Sequence, residues 1–431
     1  MAVAQGMKLT NADARVLFLN SAIRKAQWAN PAQTPALGTT LSVVLPKAGI
    51  ARALLVTCSF PITIGTAVCV PSPKAPYNMF VNAHLQDYSG IDRVNSSVYM
   101  LGQLHYLKKR MWEPSSSYPF VEAGSTYSAV NTVVTAGTDP YAAADTAVPF
   151  GVTAPYSHRT NQGSNPIAAG NYFGFSRWAV PTAISSANLV FSFWIPVAFD
   201  LSDPRGALLL NVPNGQVVLQ LTFNNALVAT TGIDTPYQSA TGTCVFNSPS
   251  TANVFIYTYY FDPISVPGVP QNEYPGGIPV PYEDLQLVHE VRSLTVPNLF
   301  SAGAESIVTL MSGRDYYRVV GSVVDGSSSG PNGTAGSMLT SRISRTRWVY
   351  DGNTPTLDEL IAGHLARAQF EVGRDLNEGT IYYDFSDRPW DSNSYGALGW
   401  AITVTSNYTT TSPAYFEYLT DALYLATMAN A

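Results

Sequence analysis

Charge is scarce in this chain. Only 12% of its 431 residues are Asp, Glu, Lys or Arg, about half the share of an ordinary soluble domain, and 23 basic against 29 acidic residues leave a net charge of −6. The longest basic run is Lys108-Lys109-Arg110. Direct, sequence-specific binding of nucleic acid is therefore not expected, because phosphate recognition needs a broad basic field. Cysteine is equally sparse: Cys58, Cys69 and Cys244 are an odd set without CxxC spacing, which argues against a disulfide framework and for synthesis in a reducing cytoplasm. No run approaches the ~18 apolar residues of a membrane-spanning helix. Asn11, Asp13, Arg15 and Asn20 interrupt any leader-like apolar stretch near the start.

Catalytic signatures are missing or badly placed. There is no P-loop and no GxGxxG fingerprint. Gly326-Ser327-Ser328-Ser329-Gly330 matches the letters of a nucleophile elbow, but it lies in a Gly/Ser-rich loop followed by Pro331 and Gly333, where an elbow requires a strand before and a helix after. His84, His105, His158, His289 and His364 form no HxH or HxxxH pair, so no metal or other cofactor is expected. Asp384, Asp387 and Asp391 near Tyr382-Tyr383 could serve as paired acids of a glycosidase, yet Arg388-Pro389 between them suits a turn with a local ion pair better. No catalytic residue is assigned.

What is present is β-forming. Hydrophobic residues make up 46%, with 25 Tyr, 30 Pro and 32 Gly. Strand-like runs recur at Leu41–Leu45, Ala53–Thr57, Ser97–Leu101, Ala129–Val134, Leu189–Ile195 and Val254–Phe261, and again at Leu285–Val291, Ile307–Met311, Tyr317–Val320, Arg345–Tyr350, Trp400–Val404 and Tyr415–Leu419. In Val217, Leu219, Leu221 and Phe223, the apolar side of an alternating strand is plain. The segment Trp112–Asn171 reads as long loops. Six prolines between Pro263 and Pro281 mark a linker, and the expected organisation is an arm over 1–38, a first β domain over 39–264, a linker over 265–281 and a second β domain over 282–431.

Helix signals are few. Thr10 and Asp13 form a capping pair, after which Leu9, Ala12, Val16, Leu19, Ile23 and Ala26 share one face of an N-terminal amphipathic helix. That face can pack on protein or lie on an anionic bilayer. Asp203 as N-cap and Pro204 at the first helical position predict a helix over Pro204–Leu210, closed by Asn214-Gly215. The capping box from Thr356 to Glu359 predicts a second helix from Leu357 to about Phe370, closed before Gly379. One inserted helix per half points to a duplicated β domain, and positive φ is expected at Gly215 and Gly379.

Several motifs together resemble a known family. Trp194-Ile195-Pro196-Val197-Ala198, Gly206-Ala207, Asn211-Val212-Pro213 and Phe223-Asn224-Asn225 are similar, in order, to the first half of the major capsid proteins of tectiviruses, tailless icosahedral phages with an internal membrane. Gly379, Tyr382-Tyr383, Asp387, Pro389, Tyr395-Gly396, Gly399 and the terminal Tyr415-Phe416-Glu417-Tyr418 resemble the second half. The arm is less Gln-rich than the family pattern, and the loops over 112–171 have no counterpart in it.

The resemblance implies an all-β fold of two tandem eight-stranded antiparallel jelly rolls. It further implies a structural, non-enzymatic role: a homotrimer forming a pseudo-hexagonal capsomer that tiles an icosahedral virion shell, assembled in the host cytoplasm. Expected partners are copies of itself, neighbouring capsomers, vertex (penton) and minor capsid proteins, and internal membrane lipids or membrane proteins. Leu9, Val16, Leu19 and Ile23 would face that membrane. The alternative from another class is a tandem β-sandwich protein that binds a receptor or carbohydrate.

Overall fold

The computed structural model describes residues 10–34, 36–64, 70–71, 74, 77–108, 120–121, 187–200, 203–212, 214–225, 237–238, 244–246, 253–262, 281–297, 301–324, 343–350, 354–372, 376, 379–392, 398–405 and 415–425. The linker expected at 265–281, apart from Pro281, the loops over 112–171 apart from Phe120–Val121, the GxSxG stretch, His158, Leu9 and Tyr395-Gly396 lie outside these residues.

The principal strands of the first half are β1 (Ile23–Gln33), β2 (Thr40–Val44), β3 (Ile50–Ile64), β4 (Phe80–Gln86), β5 (Asp92–Ser96), β6 (Ala187–Pro196), β7 (Val218–Phe223) and β8 (Asn253–Asp262). Those of the second half are β9 (Leu287–Pro297), β10 (Glu305–Thr309), β11 (Asp315–Val324), β12 (Ile343–Tyr350), β13 (Thr354–Leu360), β14 (Thr380–Asp384), β15 (Leu398–Val404) and β16 (Tyr415–Leu425). In the first half one sheet runs β1-β8-β3-β6 and the facing one β2-β7-β4-β5; in the second half they run β9-β16-β11-β14 and β10-β15-β12-β13. Adding eight to each number converts one order into the other. This is the jelly-roll order, repeated.

The halves also share a sheet. β5 pairs in parallel with β9 through Val94↔Val291 and Asn95↔Arg292, joining the two inner sheets into one that runs β14-β11-β16-β9-β5-β4-β7-β2. This parallel seam is the departure from an all-antiparallel reading. Alternation places Val291, Val320, Tyr382 and Leu419 in the same core as Leu54, Leu219 and Val94. The intervening Phe416, Tyr418, Val319 and Ile381 build a second core on the opposite face.

Helices α1 (Asn11–Ser21), α2 (Val98–Lys108), α3 (Tyr282–Gln286) and α4 (Ile361–Val372), a 3-10 turn at Tyr77–Met79 and several strands of two or three residues complete the described elements. The capping box of Thr10 and Asp13 forms, but the helix stops at Ser21, and Ile23 and Ala26 belong to β1, which pairs with β8. The segment assigned to the arm thus supplies the first strand of the first half. The inward side of α1 is Ala14 and Phe18, with Phe18 edge-on to Phe261 at 5.1 Å; Leu19 is partly buried beside them, whereas Val16 and Ile23 are exposed.

Neither inserted helix begins where the capping signals place it. Asp203 and Pro204 open a turn: the Asp203 carboxylate accepts the Arg205 backbone N–H at 3.1 Å and its Nε–H at 2.9 Å, Gly206 has φ 71°, and Leu208–Leu209 then adds to β3. Strand pairing outcompetes a helix there. Thr356 and Glu359 lie in β13, paired with β12, and α4 starts only at Ile361. The helix equivalent to α4 is α2, which follows β5 as α4 follows β13. Its first residues, Ser97–Leu101, had the composition of a strand. Ser97 instead caps the helix, its hydroxyl accepting the Met100 N–H at 3.2 Å.

Gly379 has φ 69°, as expected, but Gly215 does not adopt positive φ. Gly215 is needed for space, because a Cβ there would lie 2.6 Å from that of Tyr88.

The second core is organised by stacked Trp348 and Trp400, with ring centroids 5.1 Å apart. Thr346 accepts both the Trp400 indole N–H at 2.9 Å and the Tyr383 hydroxyl at 3.0 Å. Trp400→Ala should cost about 3–5 kcal/mol, read as a fall in the urea midpoint by circular dichroism; an unchanged midpoint would contradict this account of the core.

Candidate functional site at the joint between the halves

A group of buried charges lies where the two halves meet. Asp421, on β16, is fully buried. One carboxylate oxygen lies 2.6 Å from His289 Nε2 on β9. The other accepts from Arg318 Nη1 on β11 at 2.9 Å and pairs with Lys108 Nζ at 3.1 Å. Lys108 ends α2 of the first half and also donates to the Phe199 carbonyl at 2.9 Å. His289 Nδ1 lies 3.2 Å from the Val197 carbonyl, again in the first half. One carboxylate therefore ties four elements across the joint.

Burial by itself would raise the Asp421 carboxyl, but Lys108, His289 and Arg318 hold it well below the usual carboxylate range. Burial lowers both Lys108 and His289, with Asp421 opposing the shift in each case. Phe199 is the apolar lid, with the Lys108, Arg205 and Arg318 cations over its ring at 5.3, 4.7 and 4.8 Å.

A second pair repeats the device four residues earlier on β16. Glu417 accepts from Lys74 Nζ at 2.7 Å and from the Ser97 hydroxyl, and Lys74 also donates to Tyr415 Oη at 2.6 Å. Burial opposes the charge on Lys74, but Glu417 and Tyr415 outweigh it and raise its pKa. A cavity of about 360 Å³ opens beside this pair, lined by Tyr99, Thr295 and Tyr415 among others. Spacing of four on a strand keeps both acids on one face.

The joint has a backbone component too. Arg93 donates to the carbonyls of Gly206 and Leu287 at 3.3 and 3.2 Å, and the Gly206 N–H donates to the Asp284 carbonyl at 2.9 Å. A Cβ on Gly206 would come within 2.8 Å of the His289 backbone nitrogen. The carboxylate of Asp284, on α3, takes Arg15 at 2.5 Å and Asn11 at 2.9 Å, so α1 is fastened to the second half.

This arrangement holds surfaces of the two halves together. Both His289 nitrogens face acceptors and the side chain is buried. His364 is likewise enclosed, with Nδ1 3.0 Å from Glu359 and Nε2 accepting the Tyr382 N–H at 3.1 Å. His84 bridges Asp92 and Gln220 on the sheet surface. Among the described residues no group of His, Cys, Asp and Glu could hold a metal. The three candidate glycosidase acids are not gathered into one cleft: Asp384 accepts the Tyr382 hydroxyl and the Ser386 N–H, Asp387 sits on an exposed turn, and Asp391 pairs through its backbone with Asp315.

The residues singled out in the sequence fall unevenly with respect to this joint. Asp203 reaches it through Arg205, which donates to the Tyr317 hydroxyl at 3.1 Å. Glu359 supports α4 by pairing with His364 and Arg367. Pro204, Asn214, Gly215, Thr356 and Gly379 are turn or strand positions. Lys74, Arg318 and Asp421 were not singled out, and Lys108, His289 and Glu417 drew notice only in a basic run, among unpaired histidines and in a family motif, not as members of a site. The one available signal was Glu417 and Asp421, two acids four residues apart in an otherwise apolar strand.

Comparison with known proteins follows the same division. The P3 major capsid protein N-terminal family model matches residues 152–264. Major capsid protein P3 of Enterobacteria phage PRD1 is 26% identical over 238 residues, which are 53% of this chain and 55% of that protein, so the match spans about half of each. The crystal structure of the STIV MCP superposes with a TM-score of 0.59 at 15% identity, covering 95% of this chain and all of that one. The structure of Sulfolobus Turreted Icosahedral Virus gives 0.58 at 16%, covering 94% and 91%, and the PBCV-1 virus capsid 0.54 at 9%, covering 94% and 93%.

The chain has the double jelly-roll fold, shared with these capsid proteins. Its resemblance to tectivirus-type major capsid proteins is borne out. Within that fold, the joint is where side chains of one jelly roll bond to the other.

Asp421→Asn should cost about 3–5 kcal/mol, because it leaves Lys108 and Arg318 buried without their anion; equilibrium unfolding in urea measures it. Acid should act in the same direction. His289 and His364 are held below 6.5 by burial, so the unfolded chain takes up their protons first, and stability should fall as pH drops below about 6.5. It should fall further below about pH 4, where the unfolded chain protonates the carboxyl that the fold keeps ionised at Asp421, and a melting temperature flat from pH 7 to pH 5 would refute the assignment.

Proposed function

We propose that the chain is the major capsid subunit of an icosahedral virus with an internal membrane. Three copies form a pseudo-hexagonal capsomer, and capsomers tile a shell closed at its vertices by penton and minor proteins. The observation that carries this reading is the duplicated strand order, because two equivalent units in one chain let three chains present six similar sides. Scarce charge and abundant Tyr suit the large buried interfaces such a shell needs. The subunit has no catalytic site and needs no cofactor, and it assembles in the host cytoplasm. Its divisions are an N-terminal segment, a first jelly roll to about residue 264, the Pro/Gly linker, and a second jelly roll from about 282.

The N-terminal segment meets the membrane in this reading. Phe18 faces the protein, while Val16 is 56% exposed and Leu17 and Ile23 are also turned outward. Leu9, outside the described residues, and Leu19, half-turned to the core, complete the set. One such helix binds lipid weakly, and a shell multiplies it through many copies.

Two measurements test these statements. Light scattering should give three times the 46.3 kDa chain mass, with hexagonal outlines in negative stain; a monomer that binds glycans would instead favour a receptor- or carbohydrate-binding role. Assembled capsomers should float with anionic liposomes, and Val16→Glu combined with Leu17→Glu should reduce flotation without altering mass. Equal flotation of both would remove the membrane assignment.

A further inference from the structure

At one end of the joint, beside Lys74 and Glu417, lies the cavity of about 360 Å³, a volume at the low end of sites that take a small organic molecule. Both halves build it. The first supplies Asn78 from the turn before β4, Asn224 and Asn225 after β7, and Tyr99 from the first turn of α2; the second supplies Thr295 on β9 and Tyr415 on β16. Lys74, Asn78, Asn224 and Glu417 are buried and form the floor, whereas Val81, Asn225 and Thr295 are exposed and form the rim.

The lining is selective in its chemistry. Lys74 and Glu417 neutralise each other at 2.7 Å, so the floor carries no net charge to attract an acid or an amine. Of the three N–H groups on the Lys74 ammonium, Glu417 and Tyr415 take two; the third has no acceptor among the described residues. The asparagine amides and the Thr295 hydroxyl can both donate and accept, which matches a ligand whose hydroxyl groups do the same. Phe80, Tyr99 and Tyr415 add ring surface, on which the C–H face of a sugar ring packs. Hydroxyl-matching groups, ring surface and balanced charge in one cavity describe a sugar site rather than a site for an ion or a wholly apolar molecule.

Its place along the joint is also informative. β9 and β16 run antiparallel there, with Thr295 opposite Glu417 and His289 opposite Leu423. The six residues from His289 to Thr295 span about 20 Å, and α1 is fastened at the His289 end, through Asp284. In the capsid reading α1 is turned to the membrane, so the cavity faces the other way, toward what the particle meets outside.

We propose that this cavity binds one neutral pyranose ring, the terminal sugar of a glycan on a surface that the particle meets. The binding rests on the cavity alone; the capsid reading supplies only the direction from which the glycan arrives.

Saturation-transfer NMR and titration calorimetry on the purified protein test it, with the methyl pyranosides of glucose, galactose, mannose and N-acetylglucosamine, and with methyl glucuronide as a charged counterpart. At least one neutral pyranoside should bind saturably and more tightly than the glucuronide, and a disaccharide ending in that sugar should bind at least as well. Asn225→Ala and Thr295→Val, both at the exposed rim, should each weaken binding about three- to tenfold, the loss of one hydrogen bond, with melting curves unchanged. No saturable binding by any neutral pyranoside, or a double variant that binds like the wild type, overturns the site. Equal binding of the glucuronide overturns its neutrality, and binding of the monosaccharide without the disaccharide overturns the glycan assignment. Light scattering on the same samples keeps the two readings apart: a trimer that binds no sugar overturns the site and leaves the capsid reading standing, whereas a monomer that binds sugar through Asn225 and Thr295 upholds the site and overturns the capsid reading.

Discussion

A carboxylate without water must be paid for in partners, and Asp421 has them from both halves of the molecule. Lys108 reaches it from the end of α2, and His289 and Arg318 from the neighbouring strands. Separating the halves would strand two cations and an anion in apolar surroundings, a cost far above that of losing an exposed pair. Lys74 and Glu417 impose the same condition further along β16. The geometry of the joint is thereby restricted more narrowly than hydrophobic contact alone would restrict it.

This constraint explains where the chain spends its few charges. Several are buried at the joint or fasten neighbouring elements to it, as Arg15 and Asp284 fasten α1. The shared sheet supplies only two rungs of parallel pairing between the halves, so side chains and α2 carry most of the orientation. The capsid proteins the chain superposes on share the fold at 9–16% identity, which is consistent with packing, rather than particular residues, preserving the arrangement.

Strand positions were readable where one face is buried and the other is not, as in β7, where Leu219, Leu221 and Phe223 alternate with half-exposed neighbours. Reading failed at α2 for a physical reason. A helix buried on all sides shows no polar stripe, and the opening Val-Tyr-Met is as suited to a strand as to a helix. It failed differently at Asp203-Pro204, where the same residues that begin a helix also begin a side-chain-capped turn, and the pull of Leu208–Leu209 onto β3 decides between them. At Thr356–Glu359 the capping letters are present, but pairing with β12 extends the strand and Glu359 turns to His364 and Arg367 instead.

From the sequence by itself came the β class, the capped α1 and the absence of a catalytic signature, because alternation, turn residues and capping pairs act within a few positions of the chain; the duplication was inferred from two inserted-helix signals that the fold does not honour, and it is the strand order that carries it. The equivalence of α2 with α4, the parallel seam between β5 and β9, and the charge cluster around Asp421 were decided only in three dimensions. Lys108 and Asp421 are 313 positions apart in the numbering. No local rule relates residues at that distance; only the closure of two sandwiches onto one sheet brings them within 3.1 Å.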